Sequence, residues 1–153
     1  MLGSSRSMRV PRQLIGALGL SSTAAGAYYA ASGRIDRTAI LLWFASWLFA
    51  VGQIEYVHLR ISAAKARSQR QKVQLSIAVC FLHLLMIGAS FTAALAGFAP
   101  LLLTLAFVPS IIRIGVWLAT PCRPLRVHTL GFSELLQGLL FNILLVSAFL
   151  IRG

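Results

Sequence analysis

An all-α integral membrane bundle is the fold class predicted for this chain of 153 residues, and three observations predict it. First, 58% of the residues are apolar and only 11% are charged, against about 45–50% and roughly a quarter in soluble domains. Second, mean hydropathy is +0.83, carried by runs near the length of about 20 residues that one bilayer crossing requires. Third, those runs do not alternate with the period of two that a membrane barrel strand needs. This balance excludes a soluble enzyme, a disordered chain and a disulfide scaffold. Cys80 and Cys122 lie in different settings and form no metal spacing.

Five segments satisfy the length criterion, at residues 13–32, 38–57, 73–95, 99–119 and 134–151, and they form a single transmembrane domain. The first is rich in Gly, Ala, Ser and Thr. It follows Arg6, Arg9 and Arg12, and around Ala25–Ala27 it has the small residues of a signal-peptidase site. Signal-anchor behaviour suits it equally well. The second ends in Glu55-Tyr56-Val57 and leads into a basic loop at 58–72, read as a helical extension or a short interfacial helix. Arg60, Lys65, Arg67, Arg70 and Lys72 there are available to lipid phosphates. No aromatic residue interleaves with these charges between 60 and 72, so nucleic acid is not an expected partner. The third and fourth segments are joined by the uncharged turn Ala96–Pro100, and the fourth and fifth by a loop carrying Arg123 and Arg126.

Basic residues fall unevenly about these spans. Eleven of the 14 Lys and Arg residues lie on the side of the N-terminus and of the loops at 58–72 and 120–133, with Arg113 counted there. Arg34, Arg37 and Arg152 lie on the other. The positive-inside rule then puts the N-terminus in the cytoplasm and the C-terminus outside, in a bacterial inner membrane by default.

Charges within or beside spans are expensive and usually paired. Arg113, six residues before the end of the fourth span, is therefore expected to pair with Glu55, Glu134 or both, with His58 one turn beyond Glu55 in the same cluster. Glu134 is read as opening the fifth helix, where Ser133 can cap it and a carboxylate suits the dipole. The cluster has two readings, a helix-locking ionic network and a headgroup-binding site. His83, near the middle of the third span, is either bonded to a helix carbonyl or a ligand to haem iron or a chlorophyll magnesium. Small residues at Gly19-Thr23-Ala27 and Gly88-Thr92-Ala96, with Gly138 and Asn142 on the fifth span, are expected at helix-packing faces. Pro109 is expected to kink the fourth helix.

No metalloprotease, hydrolase or phosphate-loop motif is present. Three carboxylates, Asp36, Glu55 and Glu134, are too few for a metal–diphosphate site, so no catalytic residue and no metal site is assigned.

Two stretches carry a resemblance. Gly52-Gln53-Ile54-Glu55-Tyr56-Val57-His58-Leu59-Arg60, followed by basic residues, resembles a loop of YwiC-like membrane proteins. Arg123-Pro124-Leu125-Arg126 through Leu130-Gly131-Phe132-Ser133-Glu134 resembles their C-terminal end. That family is similar to the UbiA prenyltransferase superfamily, with nine membrane helices and a cytoplasmic-side active site. The resemblance spans residues 38–151 and implies a shortened C-terminal portion of that fold. Its aspartate-rich motifs are missing, and Glu55 and His58 stand where the second would fall. What it implies is a helical groove suited to isoprenoid tails of quinone, carotenoid or chlorophyll.

The function expected on these grounds is that of a non-catalytic accessory subunit. It would pack against other membrane protein subunits of a larger respiratory or photosynthetic complex and contact lipid, quinone or pigment tails. The alternative is a small UbiA-like membrane enzyme or binding protein acting on an isoprenoid or lipid at the cytoplasmic side. A transporter is disfavoured, because five helices give no inverted repeat.

Overall fold

The computed structural model describes residues 9–66, 68–121 and 127–151. Arg6, Arg67, Cys122, Arg123, Arg126 and Arg152, all used above, lie outside the described residues. Within them the chain forms five helices and no strand: α1 (Arg9–Ser32), α2 (Arg37–Ala63), α3 (Gln69–Leu95), α4 (Leu101–Ala119) and α5 (Val127–Leu150).

Four of these, α2 to α5, are long and apolar enough to cross a membrane, and α1 is not among them. The difference is compositional. α1 has 24 residues, or about 36 Å at 1.5 Å per residue, but Gly, Ala, Ser and Thr replace the Leu and Ile of the others.

The helices are longer than the apolar segments. α2 continues through Arg60 to Ala63 and α3 begins at Gln69, so most of the expected basic loop at 58–72 is helix. The helical-extension reading holds, and the connection shrinks to residues 64–68. Ser68 caps α3 through its hydroxyl, which accepts from the Gln71 amide at 3.2 Å. α5 likewise begins seven residues before Glu134. Glu134 therefore sits about two turns inside the helix and Ser133 is no cap; its hydroxyl donates to the Leu130 carbonyl at 2.7 Å.

The chain divides into two compact units, residues 1–54 and 55–153. In the first, two tryptophans of α2 reach α1. Trp43 Nε1 donates to the Leu18 carbonyl at 3.0 Å and Trp47 Nε1 to the Leu14 carbonyl at 3.3 Å. A tryptophan in an apolar setting needs a partner for its N–H, and the helix carbonyls supply it. Gly33 closes α1 with φ of 69°, and its amide donates to the Tyr29 carbonyl at 2.8 Å. Asp36 then starts α2, accepting from the amides of Thr38 and Ala39 at 2.8 and 3.3 Å and from the Tyr28 hydroxyl at 2.8 Å.

The second unit holds the end of α2 with α3, α4 and α5. Tyr56, Leu59, Val79, Ile114 and Leu130 form its core at one end. Farther along, Phe107 and Phe141 meet edge to face at 5.4 Å. The α3–α4 turn is a Schellman motif: Phe98 N–H reaches Ala93 O at 2.8 Å, Gly97 N–H reaches Ala94 O at 3.0 Å, and Gly97 has φ of 71°. Pro109 lies inside α4, which runs through it as one helix. With no N–H, Pro109 leaves the Leu105 carbonyl without its usual donor.

Candidate functional site

The polar residues of the second unit gather at the end formed by the last turns of α2 and α4 and the first turns of α3 and α5. Tyr56 is at its centre and only 1% exposed. The Arg113 guanidinium stacks over its ring at 3.9 Å, and the Trp117 ring meets it edge-on with centroids 6.3 Å apart. Arg60, one turn farther along α2, donates from Nη1 to the Tyr56 hydroxyl at 3.0 Å and lies 5.5 Å from the Trp117 ring centroid. The pairs Tyr56/Arg60 and Arg113/Trp117 are each four residues apart, so each shares one helix face.

Arg113 and Glu134 form a salt bridge, Nη1 to Oε1, at 2.7 Å. Both side chains are largely shielded, 14% and 20% exposed, and the second carboxylate oxygen of Glu134 is buried with no hydrogen-bond partner. Of the two acids expected around Arg113, Glu134 is the one it meets. Glu55 makes no ion pair among the described residues. Adjacent helix residues point about 100° apart, and the one under the Arg113 guanidinium is Tyr56. His58 joins no ionic contact with the pair either.

Lys72 departs furthest from its expected role. It is 2% exposed, not turned to lipid. Its ammonium donates to the carbonyls of Trp117 and Thr120 at 2.5 and 2.7 Å and lies 4.4 Å from the Trp117 ring centroid. Gln69 Nε2 adds a bond to the Leu118 carbonyl at 2.6 Å. The last carbonyls of a helix have no partner within it and carry the negative end of its dipole. The first turn of α3 thus caps α4, an arrangement that depends on α3 starting at Gln69. Lys65 and Arg70 remain exposed.

Deeper in the unit, Gln137 Nε2 donates to Ser110 Oγ at 3.0 Å, and both are buried. His83 is 4% exposed, and its Nδ1 lies 2.9 Å from the Val79 carbonyl one turn back on the same helix. An oxygen acceptor requires the proton on Nδ1, which leaves Nε2 with the lone pair. Among the described residues no group of three or more His, Cys, Asp or Glu side chains is placed to hold a metal ion.

The glycines expected at helix contacts have open space where a side chain would stand, among the described residues. A Cβ added at Gly19, Gly88 or Gly138 would meet nothing within 4 Å. Asn142, expected at a helix-packing face, donates to the Gly138 carbonyl of its own helix at 2.8 Å.

A cleft of about 380 Å³ opens beside Tyr56, within the usual range of about 300–1,000 Å³ for small-molecule sites. Arg60, Arg113, Thr129 and Ser133 give it polar groups, while Val116 and Leu130 give it apolar walls. Charge on this end is unbalanced: Arg60, Lys72 and Arg113 surround Tyr56 and Trp117, with Glu134 as the paired acid. Arg60, expected among lipid-facing residues, belongs to this cluster, together with Tyr56 and Trp117, which no motif in the sequence singles out as site residues. The four-residue spacings were the signal that could have joined them.

Compared with known proteins, the chain matches no family model, no curated protein and no solved structure.

Proposed function

We propose that this protein is a non-catalytic integral membrane protein, an accessory subunit that packs within the bilayer against a larger membrane complex. The observation that carries this reading is the set of glycines with open space above them. Gly88 is exposed on α3, in a helix otherwise dressed with Phe81, Leu84, Leu85 and Phe91 toward the outside. In lipid there is no hydrophobic drive between helices, so close approach over small residues is a main route to association. Among the described residues nothing lies within 4 Å of a Cβ placed at Gly88. A YwiC-like relationship, an N-in and C-out topology with α1 as a fifth span, and a bacterial inner membrane belong to the same reading. So does contact with isoprenoid tails of quinone or pigment.

The test is Gly88→Leu. The isolated chain should fold normally, since a side chain at that position meets open space, while co-purification with its membrane partner is lost. Retained co-purification would remove the reason for the proposal.

A second reading, a small protein that binds an isoprenoid or lipid at the cytoplasmic side, is favoured by the cleft beside Tyr56. Enzymatic action there would need a reacting group, and Arg113 is committed to Glu134 and the Tyr56 ring. Binding without chemistry is the form of that reading that the side chains support. His83, fixed through Val79, is the residue to which pigment or haem ligation would fall, and a visible absorption band lost in His83→Ala would test it.

A further inference from the structure

We infer that the cleft lined by Tyr56, Arg60, Arg113 and Thr129 is an anion site for one phosphate group, supplied by the headgroup of an anionic phospholipid. The inference rests on the protein being embedded in a bilayer and deepens the binding role just described.

Charge gives the first argument. Three cations, Arg60, Lys72 and Arg113, converge on the Tyr56–Trp117 pair, and Glu134 alone stands against them. Lys72 is occupied by the α4 carbonyls and buried. Arg60 is different. Its acceptor is the phenol oxygen of Tyr56, a neutral group, and it forms no salt bridge among the described residues. A guanidinium has five N–H donors arranged to grip a phosphate through two oxygens, so Arg60 has donors to spare. Near a span end a long cationic side chain reaches the headgroup layer, where a lipid phosphate is the anion that attracts it.

Shape gives the second. Both guanidiniums border the same cleft, and Thr129 brings a hydroxyl to it at the start of α5. One wall is Val116 and Leu130, and Val116 is 61% exposed on the outside of α4. A ligand charged at one end and apolar at the other matches that division; a free inorganic anion would use only the charged part. The Arg113–Glu134 bridge holds the arginine in place with Tyr56 beneath it, so the site is built before the ligand arrives.

The experiment uses the full chain in bilayers of phosphatidylcholine containing one-quarter phosphatidylglycerol. Native mass spectrometry of the released protein counts the bound lipids. Wild type should retain phosphatidylglycerol in preference to phosphatidylcholine. Arg60→Gln should weaken that retention roughly tenfold, the loss of one charge-assisted contact. Arg60→Lys, which keeps the charge without the fork, should fall between them. Arg70→Gln, an exposed charge outside the cleft, should match wild type. Helical content and thermal midpoint are read for each variant. Should Arg60→Gln fail to fold, Thr129→Val takes its place, with a smaller loss expected. Displacement of phosphatidylglycerol by millimolar inorganic phosphate would support the anion site but assign it to a soluble phosphate. Equal retention of the two lipids by wild type, or equal losses in Arg60→Gln and Arg70→Gln, would overturn the site. The accessory-subunit reading fails separately, if the chain migrates alone whatever lipid it holds.

Discussion

Replacing Lys72 with methionine keeps the length of the side chain and removes its charge, which isolates the cap on α4. Two charge-assisted hydrogen bonds disappear, to Trp117 O and Thr120 O, together with the cation held over the Trp117 ring. Hydrogen bonds to charged groups are worth about 1.5–3 kcal/mol each, and a desolvated cation–π contact about 2 kcal/mol. Three effects reduce that sum. Trp117 O also accepts from the amide and the hydroxyl of Thr120, Gln69 still bonds Leu118 O, and methionine no longer pays to bury an ammonium. A net destabilisation of about 2–3 kcal/mol follows from these opposing effects. Arg70→Met, two residues earlier and exposed, should change stability by no more than about 0.5 kcal/mol. Both are measured by denaturant-driven unfolding in detergent, followed by circular dichroism. Equal stability of the two variants would refute the cap and return Lys72 to the lipid-facing role its sequence position suggests.

Removing one partner of the shielded Arg113–Glu134 pair should cost more than removing both. Arg113→Met leaves a largely shielded carboxylate without its partner and should destabilise by about 2–3 kcal/mol, while the double variant with Glu134→Leu recovers much of that. A double variant no better than Arg113→Met in the same unfolding assay would mean the pair is not coupled. In the first unit, Asp36 has its carboxyl held below the ordinary value of 3.8 by the Tyr28 hydroxyl first, with the Ala39 and Thr38 amides and Arg34 adding to it. Its folded-state pKa is depressed, so its contribution is complete above about pH 3.8 and is lost as pH falls through the lower folded value. An acid titration of thermal midpoint should therefore show a loss in that window that Asp36→Asn and Tyr28→Phe both diminish, whereas unchanged curves would refute the clasp.

The helical class, and four of the helices, were legible because apolar run length is a direct property of sequence and a bilayer demands it. The helix ends were less so. α2 and α3 extend past their apolar runs because Arg60 and Lys72 are good helix formers whose charges meet helix C-termini, an effect that hydropathy cannot register. The same blindness misplaced Lys72 and put Glu134 at a helix start. For the site, charge economy pointed to Arg113 with a carboxylate partner but not to which one, since that depends on which face of α2 turns inward. Tyr56 lies on that face and Glu55 does not. The aromatic half of the cluster was hidden for another reason: Trp and Tyr near span ends ordinarily signal lipid contact, and only the packing of α2 against α4 gives them another task. The glycines run the opposite way. Their pattern is plain in the sequence, yet among the described residues a Cβ at Gly19, Gly88 or Gly138 meets nothing within 4 Å.

Membership in a larger assembly is tested most directly by solubilising the native membrane in a mild detergent and following this 16.6 kDa chain on a native gel, with mass spectrometry of the band. Migration within a large complex is expected, with its other subunits identified in the same band. Migration as a small species free of other proteins would contradict that membership.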